Sequence, residues 1–74
     1  MSTPIKIGKQ GRIKNGEHAG YLVRIDDDIA NTGGYLILTW LEDNPSVGFD
    51  NWVEKSDDLE QFFHESGWNV EWLQ

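Results

Sequence analysis

Hydrophobic and polar residues alternate with a period of two along several short stretches of the chain, which is the pattern of half-buried β-strands. In the clearest stretch, Tyr21, Val23 and Ile25 share one face of a predicted strand. Glycines divide the first half of the chain into short segments, which favours strands and turns over helices. Together these patterns predict strands over residues 5–7, 12–14, 21–25, 35–41, 49–54 and 68–73.

The residues between these strands predict where they begin and end. Residues 35–41 are apolar at all but one position, which predicts a central strand covered on both faces. Asn15-Gly16 has the composition of a type I′ turn, and residues 44–48 contain proline and glycine and predict a second turn. The adjacent carboxylates of residues 26–28 repel one another, so we expect the strand before them to end there.

One segment near the C-terminus has the period of a helix instead. Leu59, Phe62 and Phe63 are spaced i, i+3 and i+4, which places them on one apolar stripe. A serine and two aspartates come just before the stripe and supply an N-cap and favourable charge in the first turn. Gly67 follows as a C-terminal signal. The pattern predicts one short helix at about residues 57–66.

These elements make up a single domain spanning residues 1–74. Their order predicts an α+β fold that is mainly β: a small twisted antiparallel sheet, or an SH3-like half-barrel, of about five to six short strands. The one short helix comes before the last strand. Because that strand follows a helix, its pattern is compatible with either parallel or antiparallel pairing.

The charge of the chain is strongly negative and unevenly distributed. The net charge is −7, with a net +4 over residues 1–24 and a net −11 over residues 25–74. A field of this sign repels phosphate groups, so we expect neither nucleic acid nor an anionic membrane as a partner. It attracts a basic protein surface and speeds the encounter with it. The alternative interpretation is that the acidity only keeps the protein soluble.

The chain contains no cysteine, which excludes a disulfide framework and a thiolate metal site. Four Trp, two Tyr and three Phe supply the apolar mass for a compact core instead. The N-terminus shows no basic segment followed by an apolar one, and no run reaches the ~20 apolar residues of a membrane helix. We therefore expect a cytoplasmic protein.

Residues suited to catalysis are few. His18 and His64 are the only histidines; the first is expected in an exposed turn and the second at the polar edge of the helix. No serine lies in a nucleophile-elbow pattern, and residues 8–11 lack the spacing of a phosphate-binding loop. We expect the protein not to be an enzyme.

Residues 26–28 and Asn31 offer oxygen ligands of the kind that calcium prefers. Counted from Asp26, however, positions 5, 6 and 12 of an EF-hand loop would be Ala30, Asn31 and Ile37, so the motif fails. A solvated acidic loop is the expected state of this segment. We predict no metal site and no cofactor.

Two features exceed what a core requires and predict a partner-binding surface. One is the acidic triplet, and the other is the C-terminal half, where tryptophans lie among carboxylates; Trp and Tyr are favoured at interfaces. In the alternative interpretation, the aromatic residues form the core of the domain. We expect a core position for Trp40 and Trp68, and both interpretations remain open for Trp52 and Trp72. The predicted partner-binding residues are Asp26, Asp27, Asp28, Glu42, Asp43, Asp50, Trp52, Asp57, Asp58 and Trp72.

In its size, acidity, aromatic content and sheet-plus-helix layout, the chain resembles the small acidic immunity proteins of bacterial toxin–immunity systems. The resemblance extends over the whole chain and implies an inhibitor that occludes a basic toxin or nuclease domain. A protein of a phage or mobile element that inhibits a host nucleic-acid enzyme would be physically equivalent.

The glycine-rich segment over residues 8–25 is also similar to the opening of SH3-like barrels. That resemblance implies an adaptor module that binds a peptide or an assembly partner. A homodimer through an exposed strand edge is a further possibility, because the sheet must end somewhere. Salt sensitivity of binding distinguishes the acidic inhibitor from the peptide reader.

Overall fold

The computed structural model describes residues 5–73, so Met1 to Pro4, where a signal peptide would begin, lie outside the described residues. Five strands form one antiparallel sheet in the order β4-β3-β2-β1-β5. The predicted α+β, mainly β fold is confirmed, and the last strand pairs antiparallel with β1. The elements are β1 (Gln10–Ile13), β2 (Tyr21–Asp28), α1 (Ile29–Thr32), β3 (Gly34–Leu41), β4 (Asn44–Val53), α2 (Ser56–Ser66) and β5 (Val70–Trp72).

The predicted helix is confirmed as α2, which begins one residue earlier than expected. The N-cap is Lys55, and the carboxylate of Asp58 accepts a hydrogen bond from its backbone N–H at 3.2 Å. Gly67 ends the helix with a φ of +69°, a conformation that glycine adopts without a steric penalty. Because β4 and β5 are the two edges of the sheet, α2 crosses the sheet from one edge to the other.

The core lies between α2 and one face of the sheet. Leu59, at 1% exposure, is the buried residue of the helix, and Phe62 and Phe63 pack beside it. Side chains alternate between the two faces of a strand, so each strand contributes every second residue to this core. The sheet residues of the core are Ile13, Val23, Ile25, Ile37 and Val70.

The prediction of a central strand covered on both faces is wrong for β3. The middle strand of the sheet is β2, and β3 lies next to the edge strand. Only one face of β3 meets the helix layer, where Ile37 and Thr39 are buried. No described element covers the other face, so Leu36, Leu38 and Trp40 remain partly exposed there.

The predicted strand over residues 5–7 is not formed. These residues lead into a turn, in which Gly8 has a φ of +82° and the N–H of Lys9 donates to the carbonyl of Lys6. The N–H of Gly8 donates to the carbonyl of Ile25 at 2.7 Å, which attaches the segment to β2. Ile5 packs against the core without belonging to the sheet.

The predicted type I′ turn at Asn15-Gly16 is also wrong, because residues 14–20 form a longer connection between β1 and β2. A type I′ turn needs positive φ at both central residues, and here only Gly16 has one. The side chain of Asn15 instead donates to the carbonyl of Gly67 at 3.0 Å and accepts from the N–H of Asn69 at 2.7 Å. It therefore ties this loop to the connection between α2 and β5.

The acidic triplet does not end its strand, since β2 continues to Asp28. Neighbouring residues of a strand point to opposite faces, which places Asp27 on the other side of the sheet from Asp26 and Asp28. Asp26 is paired with Arg24, and Asp27 accepts a hydrogen bond from the backbone of Ile29. Local partners thus offset the repulsion that was expected to stop the strand.

The predicted turn over residues 44–48 lies within β4, and the chain actually reverses at Glu42-Asp43. Trp40 pairs with Gly48 but Leu41 pairs with Asn44, which leaves residues 45–47 without partners on β3. Proline is tolerated in such a bulge and in an edge strand, where its missing N–H breaks no ladder bond.

Candidate docking surface

The sheet face that α2 leaves uncovered is the candidate site, and we call it the open face. Its members are the even-numbered residues of the three longest strands, because the register pairs Leu22 with Trp40 and Leu36 with Trp52. The open face comprises Leu22, Arg24, Asp26, Asp28, Gly34, Leu36, Leu38, Trp40, Gly48, Asp50 and Trp52, flanked by Arg12 and Glu71; on β4 it begins at Gly48, after the bulge.

Trp52 is the most exposed aromatic residue of the open face, at 47% exposure. Its ring lies against Gly34, where an added Cβ would come within 2.7 Å of the ring atoms Cε2 and Cζ2. Its Nε1–H donates to Oγ1 of Thr32 at 2.9 Å. The glycine beneath and the hydroxyl beside the ring therefore hold an exposed tryptophan in one orientation.

Trp40 lies further along the same face, where the cation of Arg24 is close to it. Cζ of Arg24 is 6.0 Å from the centroid of the Trp40 ring, at the outer limit of a cation–π contact. The guanidinium makes two hydrogen bonds to the carboxylate of Asp26, at 2.8 and 3.0 Å. The hydrogen bond to Asp26 raises the pKa of Arg24, while burial has a smaller, opposite effect. Arg24 is thus a fixed, fully charged group on the open face.

A second set of ion pairs borders the open face at the β1–β5 side. Arg12 binds Glu42 at 3.1 Å and approaches Glu71 at 3.8 Å, and Lys14 also approaches Glu71 at 3.8 Å. These side chains are 32–56% exposed, so the pairs add little stability. Their consequence is electrostatic: the basic residues of the open face are already neutralised.

Beside the bulge of β4, a groove of about 380 Å³ lies at the border of the open face. Its lining is largely apolar with one cation and one carboxylate, and a mostly apolar lining with few polar groups is typical of binding pockets. Its lining residues are Arg24, Leu38, Thr39, Trp40, Pro45, Ser46, Gly48, Phe49 and Asp50.

Asp50 has no basic partner among residues 5–73, unlike Asp26 and Glu71. It lies in the middle of β4, opposite Leu38. Asp43 in the preceding turn and Glu54 just after β4 likewise form no ion pair in the described part of the chain. The β4 side of the open face therefore carries an uncompensated negative charge.

The structure brings some of the predicted binding residues together and separates others. Asp26, Asp50 and Trp52 lie on the open face, and Glu42 reaches its border through Arg12. Asp43 lies in the adjacent turn.

The other predicted residues lie at the end of this face or elsewhere. Asp28 ends β2 opposite Gly34, where it accepts a hydrogen bond from Asn31. Asp27 points to the opposite side from Asp26. Asp57 and Asp58 open the helix on the covered side of the sheet.

Trp72 is also on the covered side, where its ring packs 6.3 Å from that of Phe63. Trp68 likewise packs against the core, as expected. The assignment of Trp40 to the core is wrong, since it belongs to the open face. The pattern of β3 shows two apolar faces, but which of them α2 covers depends on the tertiary structure.

His18 lies in a turn, as expected, but it is half-buried and its ring packs against other aromatic rings. Its ring lies 5.2 Å from that of Tyr21, 5.1 Å from that of Phe49 and 5.8 Å from that of Trp68. Because the three rings come from distant parts of the chain, no local pattern predicts this cluster. His64 is exposed on α2, in agreement with the prediction.

Within residues 5–73, no three His, Asp or Glu side chains are grouped as metal ligands would be. No helix in that part of the chain combines the length and apolarity needed to cross a membrane. No family model matches the sequence, and comparisons with curated proteins and with solved structures find no match either.

Proposed function

We propose that this protein is an acidic inhibitor, most similar in role to an immunity protein, which binds a basic toxin or nuclease domain through its open face and occludes the active surface of that domain. The observation that carries the proposal is the combination, on one uncovered sheet face, of tryptophan and leucine side chains with carboxylates that lack a basic partner.

The apolar part of the open face supplies the binding energy in this proposal. Tryptophans are frequent hot spots when they become buried at an interface. Gly34 and Thr32 already hold the Trp52 ring in place, so binding restricts it little further. Leu36, on the neighbouring strand, extends the apolar surface beside it.

The charge of the protein supplies selectivity for a basic partner and a fast rate of association with it. Ten of its thirteen carboxylates form no ion pair within residues 5–73, and the net charge is −7. A basic nuclease presents a surface that binds phosphates, and an array of carboxylates competes for the same positive field. Association with such a partner is expected to slow as ionic strength rises.

The proposal is one of binding without catalysis. His18 is enclosed by aromatic rings, and His64 lies on the exposed side of α2, so the two histidines do not form a common acid–base site. A cytoplasmic location, a bacterial source and the lack of a cofactor belong to the same proposal.

A pull-down from the cognate cell extract tests the proposal, with the immobilised protein washed at about 0.15 M and then about 1 M salt. The Debye length falls from ~8 to ~3 Å over this range. We expect one basic protein to be retained at low salt. Its binding should weaken at high salt. Its enzymatic activity, once identified, should be inhibited by the purified protein at a one-to-one ratio.

Two variants with the same charge change locate the surface. Asp50→Lys places a positive charge on the open face and should weaken binding by about tenfold or more. Glu65→Lys changes the net charge equally on exposed α2, on the covered side of the sheet, and should have a much smaller effect. Equal effects of the two variants, or recovery of no basic protein, would refute the proposal.

The groove beside Trp40 and Pro45 favours a second candidate, an adaptor module that reads a linear peptide. An aromatic groove of this kind accommodates an extended, often proline-rich, segment. In that case the pull-down would retain several proteins that share a linear motif, and their retention would be indifferent to salt.

A further inference from the structure

β4 is an unusually open edge of the sheet. It runs for ten residues, all of them exposed except Asn51 and Val53, which are half-buried. The opposite edge, β5, is only three residues long. An edge strand presents unpaired N–H and C=O groups that can pair with another chain, and β4 is the longer of the two.

The hydrogen-bond pattern shows which peptide groups of β4 face outward. The carbonyl of Ile13 accepts from Gly20 and that of Ile25 accepts from Gly8, so odd-numbered residues of β1 and β2 direct their peptide groups toward each other. In an antiparallel ladder the direction alternates with each residue.

The same alternation continues across the sheet. Arg24 faces β3, where it pairs with Leu38, so Thr39 faces β4 and pairs with Phe49. The next residue of β4, Asp50, must then direct its N–H and C=O away from the sheet. Gly48 and Trp52 do the same, and the side chains of all three lie on the open face.

The charge along this edge identifies the kind of partner. Residues 42–54 contain Glu42, Asp43, Asp50 and Glu54 and no basic residue. Natural edge strands are often protected by lysine, whereas this edge carries only carboxylates. Pairing with the same edge of a second copy would bring like charges together, while a basic strand would neutralise them.

We propose that an extended basic segment of the partner adds to β4 as a further strand and hydrogen-bonds to the outward peptide groups of Gly48, Asp50 and Trp52. The inference rests on the proposed function and specifies how the partner is held. Residues of the added strand directly opposite Asp50 and Trp52 would also lie on the open face. Their Cβ atoms would be about 4.5–5.5 Å from the Cβ atoms of Asp50 and Trp52. A lysine or arginine there would pair with the carboxylate and contact the indole ring.

A synthetic ten-residue peptide of alternating lysine and threonine is the probe, and the matched glutamate–threonine peptide is its control. Amide hydrogen exchange of the isotope-labelled protein is followed by NMR at about 0.15 M salt. With the lysine peptide at ten times its Kd, the outward amides of Asp50 and Trp52 should exchange about tenfold more slowly. The glutamate peptide should leave them unchanged.

Replacing the Asp50 amide by an ester tests the backbone contact directly, because the ester removes the N–H and keeps the carboxylate. We expect unchanged thermal stability and about threefold to tenfold weaker peptide binding. The same replacement at Asp57 is the control: its N–H lies in the first turn of α2, where helix N–H groups have no intrahelical partner, and its carboxylate is also retained.

The failure of this inference differs from a failure of the proposed function. Suppose that the Asp50 ester binds the peptide and the retained basic protein as well as the unmodified protein does, while Asp50→Lys still weakens both. Strand addition is then refuted, and the inhibitor proposal stands on side-chain charge alone. Absence of peptide binding, or exchange changes that are equal on α2 and β4, would also overturn strand addition.

Discussion

Replacing Gly34 by alanine tests the packing that orients Trp52. Gly34 is buried at the start of β3, on the open face. An added Cβ would lie 2.7 Å from two carbons of the Trp52 ring and would also collide with the backbone carbonyl of Val53. Contacts below 3.0 Å require movement, and here both the ring and the edge strand must shift.

The size of the effect follows from these two contacts. Inserting a methyl group into a well-packed site destabilises by about 1–3 kcal/mol. A 74-residue domain has a total stability of roughly 4–11 kcal/mol, so the loss is a large fraction of it. Each kcal/mol corresponds to about 4–8 °C in Tm for a domain of this size. We expect Gly34→Ala to lower Tm by about 4 °C at the least.

A double-mutant cycle separates the two contacts. Trp52→Ala removes the ring and should reduce the effect of Gly34→Ala, whereas the collision with the Val53 carbonyl should remain. Thermal unfolding followed by circular dichroism measures all four proteins. An unchanged Tm for Gly34→Ala, or additive effects of the two substitutions, would show that the ring does not lie on the glycine as described.

Three further substitutions test other parts of the fold. Leu59→Ala should cost about 2–5 kcal/mol in urea unfolding because Leu59 is the buried contact of α2 with the sheet; a loss below ~1 kcal/mol would contradict the core described above. Asn15→Ala should cost about 1–3 kcal/mol because it removes both hydrogen bonds that tie its loop to the α2–β5 connection, and unchanged stability would argue against that tie. Replacing residues 26–28 together by asparagine should lower the free energy of unfolding by only about 1–2 kcal/mol. The amide oxygens can still accept the local hydrogen bonds, and the Arg24–Asp26 pair is exposed. Complete unfolding would show that the triplet is structural.

Elements specified by neighbouring residues could be predicted from the sequence. The stripe of Leu59, Phe62 and Phe63, with Gly67 after it, is a local pattern, and α2 lies within one residue of its predicted start. The alternation at residues 21–25 likewise predicted β2, although the strand extends further. In both cases the period of the apolar residues matches the period of the backbone.

The errors occurred where distant partners decide the local structure. The side chain of Asn15 forms hydrogen bonds with the backbone of Gly67 and Asn69, more than fifty residues away. Its loop therefore does not form the turn that Asn-Gly favours. At Asp26 the overlooked partner is a local one, since Arg24, two residues before it, pairs with it within the strand. Residues 5–7 alternate like a strand, yet they only lead into a turn beside β2.

The sequence by itself determined the class of fold, the helix and the excess of negative charge, because these depend on composition and on spacing along the chain. Only the tertiary structure decided which face of the sheet is open, which carboxylates lack a basic partner and which peptide groups of β4 point outward. The register places Trp52 and Asp50 on one face with Leu36 and Leu38. The path of α2 across the opposite face leaves that surface uncovered, and such long-range packing has no signature in any local segment.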